Sequence, residues 1–194
     1  MKFWAFHPWI FYPLAVLLGA GAIALSLMPQ SWPREARPQA GIVENGEILL
    51  QGQAFDSPSA SPEQEVFVAR NWRGEAQALR IAVLPNQPAP TPAETGARIL
   101  LTPETASLID DKPVTLEVAY RSLEWNPSPI LAASVQGIGP AEWVAHPTEA
   151  GEGVVRFDLP AQIAANAIGL RTINSDPNQN TGVEIISIRI MPRA

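Results

Sequence analysis

In VTLEVAYRSL, residues 114–123, apolar and polar side chains alternate along the run. Val114, Leu116, Val118 and Tyr120 fall on one side of an extended chain and Thr115, Glu117 and Arg121 on the other, because successive side chains of a strand point to opposite faces. One wet face and one dry face is the mark of an antiparallel sheet packed on a core. The run VVRFDLP repeats the pattern, with Val155, Phe157 and Leu159 inward and Arg156 and Asp158 outward. Further strand candidates are 47–55, 66–71, 78–83, 98–101, 130–136, 142–146, 167–172 and 183–191, separated by Gly, Pro and Asn turns. One helical turn is expected in TPETASLID, where Thr102 is placed to cap and Pro103 to take the first position. About ten short strands with half-buried patterning predict a two-sheet β-sandwich.

The last candidate strand, GVEIISIRIMP, changes phase. Val183 and Ile185 alternate with Glu184, but Ile186, Ile188 and Ile190 alternate with Ser187 and Arg189. A β-bulge between Ile185 and Ile186 restores both faces. The alternative is a strand covered on both sides near that pair.

The N-terminus reads differently. Residues 6–33, FHPWIFYPLAVLLGAGAIALSLMPQSWP, hold no charged side chain. The part from Trp9 to Met28 makes about 30 Å of helix, the thickness of a hydrocarbon core. A transmembrane helix over residues 1–28 is therefore expected, with Trp4, Trp9, Tyr12 and Trp32 at the membrane interfaces. A cleaved export signal is the other reading, with small residues at Ala20–Ala22 or Ala22–Ala24 as the cut site. Pro13 either bends such a helix or marks its start. Ala15, Gly19, Ala22 and Ser26 follow steps of four, three and four, a strip that lets another helix approach closely in lipid; ordinary membrane-helix composition explains the same residues. The run PQSWPREARPQAG, residues 29–41, carries three prolines and reads as a stiff extended spacer before a domain at 42–194. By analogy with bacterial signal anchors, the expected location is the inner membrane, single-pass, with the β-domain in the periplasm.

Charge and cysteine narrow the function. Setting Lys2 aside from the 13 Lys and Arg leaves 12 against 19 acids, a formal charge of −7 beyond the N-terminal segment. No basic stripe interrupts it, so nucleic acid is an unsuitable partner. With no cysteine, disulfides and thiolate metal sites are excluded.

The strands PVTLEVAYRSLEWNP and VEIISIRIMP, with AIGLRTINSDPNQNTG before the latter, resemble the jelly-roll β-sandwich domains of the galactose-binding-like and carbohydrate-binding-module type. The resemblance covers residues 41–193 and implies an antiparallel jelly roll. It also implies a sugar ligand held by aromatic platforms and polar side chains on a concave face or at loop tips. A structural calcium is frequent in that family, and the acidic residues of the opening and closing strands here are Glu44, Glu47 and Glu184. No cofactor or metal ligand set is assigned.

Catalytic candidates are thin. Asp110 and Asp111 are adjacent, so their side chains diverge. His146 is the one histidine beyond residue 41, and no G-x-S-x-G motif accompanies it. The run NSDPNQNTG lacks the spacing of a calcium loop and reads as Asx-rich turns. Trp72, Trp125 and Trp143 are the candidate contacts for a partner or a glycan, against the alternative of burial in the core. The proline-rich run 84–96 is a candidate partner strip or a surface connection.

Two function classes follow, neither an enzyme. The first is an accessory or scaffold subunit whose helix packs on the transmembrane helices of a larger complex. The second is a membrane-tethered carbohydrate-binding module recognising envelope glycans.

Overall fold

The computed structural model describes residues 8–31, 35–59, 61–62, 64–83, 95–174 and 178–193, the side chains of 25–31 excepted. The chain divides into two units, Met1–Arg34 and Glu35–Ala194.

The first unit contains helix α1, Pro8–Ser31. It starts at Pro8, where a missing N–H costs nothing, and continues through Pro13. The expected transmembrane span is corrected: among the described residues no helix is long and apolar enough to cross a membrane. The partners drawn from that span, the lipid bilayer and the transmembrane helices of a larger complex, lose their support with it. So does a single-pass inner-membrane location with the β-domain in the periplasm. Ala15, Gly19 and Ala22 are exposed on α1, as are Trp9 and Tyr12. Trp4, Trp32 and the Ser26 side chain lie outside the described residues.

The second unit is a β-sandwich of two antiparallel sheets. Among the described residues the larger sheet has seven strands: β1 (Ile42–Glu44), β2 (Glu47–Gln51), β3 (Gln64–Arg70), β4 (Ala76–Val83), β6 (Val114–Ser122), β9 (Glu152–Leu159) and β11 (Thr181–Pro192). The smaller sheet runs β5 (Ala97–Leu100), β10 (Ala167–Ile173), β7 (Ile130–Gln136) and β8 (Val144–Pro147).

β11 is the axis of the larger sheet. One edge pairs with β6 along nearly its whole length, from Val183↔Ser122 to Pro192↔Val114. The other edge is shared: Thr181–Ile185 pair with β4, and Ser187–Ile190 pair with β2. The register of β11 slips between Ile185 and Ser187, so Ile186 is the extra residue of a bulge, and it sits where the partner changes. The bulge lets Val183, Ile185, Ile188 and Ile190 all reach the core while Ile186 stays half-buried.

Most strand ends fall within two residues of the sequence reading, and two differences are larger. Strand β1 was not expected; its three residues are exposed, but Asn45 and Gly46, at φ 52° and 81°, form the two-residue turn that a hairpin of this twist requires. The expected strand over 47–55 stops at Gln51, because Gly52 at φ 53° opens a 3-10 turn, Gly52–Phe55, that drives Phe55 into the core. The short helix α2 spans Pro103–Ser107, with the Thr102 hydroxyl accepting the Thr105 N–H at 3.4 Å.

The core is one apolar cluster contributed by both sheets. Leu50, Leu79, Ile81, Leu116, Val118, Phe157 and Ile188 come from the larger sheet, and Ile99, Leu131, Val135, Ile168 and Leu170 from the smaller. The outward face of the larger sheet carries charged side chains and a cleft.

Candidate binding site

The cleft forms where small residues leave a gap in the outward face. Glu65, Ala82 and Gly182 stand side by side across β3, β4 and β11. Ala82 and Gly182 present almost no side chain, so they act as a floor between taller neighbours. Gly182 has no room for more: a Cβ there would lie 2.9 Å from the Ile81 carbonyl oxygen and 3.0 Å from Leu123. Glu65 and Phe67 rise on one side, Leu123, Trp125 and Asn126 on the other, and Arg80 and Asn180 complete a lining around about 350 Å³.

The loop after β6 holds Trp125 at the rim. The Gly182 N–H donates to the Asn126 carbonyl at 3.1 Å, and the Ser128 N–H donates to the Gly182 carbonyl at 2.8 Å. Residues on both sides of Pro127 are thus stitched to the start of β11, and Asn126 takes the left-handed conformation at φ 54°. The ring of Trp125 stays 84% exposed. Phe67, 45% exposed, faces outward because its neighbours Val66 and Val68 pack against the core.

The charges beside the cleft form a row across four strands. Arg80 Nη2 lies 2.9 Å from Glu184 Oε2, Arg121 Nη1 lies 3.5 Å from Glu184 Oε1, and Arg121 Nη2 lies 2.7 Å from Glu152 Oε1. Glu152 and Glu184 hold the Arg121 guanidinium above its ordinary pKa, the hydrogen bond to Glu152 contributing most. Glu65 has no ion pair among the described residues.

The three candidate tryptophans do not meet. Trp125 enters the cleft; Trp72 and Trp143 are not among the described residues that line it. Trp72 is 87% exposed in the turn between β3 and β4, with the Arg73 guanidinium 4.7 Å from its ring centre. Trp143 is half-buried, with Arg171 at 4.2 Å over its ring and Gly96 close against its edge. Its indole nitrogen is buried and finds no hydrogen-bond partner among the described residues. Phe67 was missed in the sequence. Its signal was an aromatic ring in the outward phase of Glu65–Phe67–Ala69.

The other candidates have structural partners. Asp110 Oδ1 accepts the Ala165 N–H at 3.2 Å, and Asp111 takes φ 53° in a turn. His146 meets Phe157 edge-on at 5.3 Å. Of the acids that the resemblance offered for calcium, Glu184 is held by two arginines and Glu47 lies 3.9 Å from Arg189. No group of three or more His, Cys, Asp or Glu among the described residues is arranged to hold a metal. Residues 84–94 and 175–177 of the proline-rich and Asx-rich runs lie outside the description.

A second cavity of about 510 Å³ opens where β2 and β4 diverge, lined among others by Ile42, Leu49, Gln51, Gln77 and Ile186. No aromatic ring is among the described residues that line it.

No family model matches the chain, and no curated protein matches it. Among solved structures it is similar to the CBM22-1 xylan-binding domain of Paenibacillus barcinonensis Xyn10C, with TM-score 0.44 and 11% identity over 81% of this chain and 100% of that one. It is also similar to the CBM36-1 domain of a multidomain xylanase from the hindgut metagenome of Trinervitermes trinervoides, with TM-score 0.43 and 10% identity over 76% and 98%. A third is the low-affinity xylan-binding module CBM86 from Roseburia intestinalis, with TM-score 0.37 and 15% identity over 76% and 96%. At identities and TM-scores this low, the likeness says nothing of what this chain binds.

Proposed function

We propose that this protein is a non-catalytic carbohydrate-binding module of the jelly-roll type that takes a glycan in the cleft beneath Trp125. The observation that carries the reading is an exposed indole, held by backbone hydrogen bonds at the rim of a cleft with a second ring and several polar side chains. A pyranose has an apolar face of C–H groups and an equator of hydroxyls. The rings of Trp125 and Phe67 suit the first, and Glu65, Arg80, Asn126 and Asn180 suit the second. Because the Trp125 loop is stitched to β11, little ordering entropy is lost on binding.

Binding without cleavage is supported by the same lining. Glycoside hydrolysis commonly uses two carboxylates flanking the bond, and Glu65 is the one carboxylate among the described residues of the cleft. Titration calorimetry of the intact chain against neutral β-1,4-linked oligosaccharides tests the reading. Trp125→Ala is expected to weaken binding about tenfold or more, equivalent to about 1.4 kcal/mol, and Trp72→Ala to leave it unchanged. Failure to bind any of these oligosaccharides, or binding indifferent to Trp125→Ala, overturns it.

A further inference from the structure

We infer that the cleft selects uncharged glycans over uronate-bearing ones, and that Glu65 sets the selection. This rests on the glycan reading above and adds the charge class of the ligand.

Arg80 is the cation among the described residues of the cleft, and it is the group to which a uronate would be drawn. Its guanidinium is already engaged by Glu184 at 2.9 Å. The Glu184 side chain is only 13% exposed and its other oxygen holds Arg121, so it is fixed in place on the floor side. Arg121 is in turn held by Glu152, and the row Arg80–Glu184–Arg121–Glu152 sums to no net charge. Diagonal to Arg80 in the β3–β4 register stands Glu65, an exposed carboxylate with no ion pair among the described residues. It stands beside Ala82 and Gly182, the two residues too small to screen it. The chain as a whole carries the same sign, at −6. A carboxylate of this kind accepts hydrogen bonds from sugar hydroxyls and repels a second carboxylate. At the separations a cleft this size imposes, the screened repulsion corresponds to about a fivefold loss of affinity.

The test uses the intact chain and two matched pairs of probes: cellohexaose with its C6-oxidised uronate form, and xylohexaose with a glucuronate-branched xylohexaose. Wild-type protein is expected to bind the neutral member of a pair about fivefold more tightly at low salt, with the gap closing as salt is raised. Glu65→Gln is expected to bring the two members together by strengthening the uronate. Glu104→Gln, an exposed carboxylate on α2 with the same change in net charge, is expected to leave the gap. Equal affinities in the wild type, or an unchanged gap in Glu65→Gln while neutral binding still needs Trp125, overturn this inference and spare the glycan reading. Binding to none of the four probes, or binding independent of Trp125, overturns both.

Discussion

Asp158 shows how a single contact tunes a group on a wet face. The Thr115 hydroxyl donates to Asp158 Oδ1 at 2.7 Å, and this hydrogen bond leads the causes that hold the carboxyl below its ordinary value of 3.8; Arg193 and Arg156 act in the same direction. A carboxyl whose folded pKa is depressed stabilises the fold above its unfolded pKa, and the contribution disappears as pH falls through the folded value. Thr115→Val is therefore expected to raise the Asp158 pKa, read by NMR titration. The gap in denaturation midpoint between wild type and variant is expected to narrow on acidification, from just above the ordinary Asp value downward. At this scale the sequence was partly legible. Trp125 was singled out because it follows a strand and precedes prolines. Phe67, Arg80 and Asn180 were not joined to it, since only the register of β3, β4 and β11 and the stitched loop bring them to one cleft.

At the scale of the element, strand β11 carries the argument. Its phase slip was visible as two interleaved alternations, and the structure puts the extra residue at Ile186. What the sequence did not display is why the slip is there: β4 and β2 must share one edge of β11, and the bulge lies at their junction. Deleting Ile186 joins the two halves of β11 into one unbroken alternation in which Val183, Ile185, Ile188 and Ile190 all still face the core, and removes the bulge at the junction of β4 and β2. The deletion is expected to keep cooperative urea unfolding of the β-domain at a lowered midpoint, whereas deleting Ile186 and Ser187 together, which turns Ile188 and Ile190 to the solvent face, is expected to abolish it. Ile186→Ala, which keeps the register and trims a half-buried side chain, is expected to cost less than about 1.5 kcal/mol. The Thr102 cap was equally legible, because a capping oxygen and the N–H it accepts lie three residues apart.

For the molecule as a whole, one core joins the two sheets, so neither can lose its packing alone. Phe157, fully buried on the larger sheet, packs in the same cluster as Leu131 and Ile168 of the smaller. Phe157→Ala is expected to destabilise the domain by about 3–5 kcal/mol. Far-ultraviolet circular dichroism and tryptophan fluorescence should report the same midpoint for the β-domain, since both sheets unfold together. Two separated transitions would contradict a shared core.

What the amino-acid order determined by itself was local: which side of each strand is dry, where the turns and the short helix begin, and that β11 needs a bulge. These follow from sterics and hydrogen bonds spanning a few residues. The tertiary structure alone decided which strands became neighbours, where Ala82 and Gly182 left a cleft, and which tryptophan overlooks it. Strands of nearly equal amphipathicity compete for the same core, and that contest is settled by packing across the whole domain.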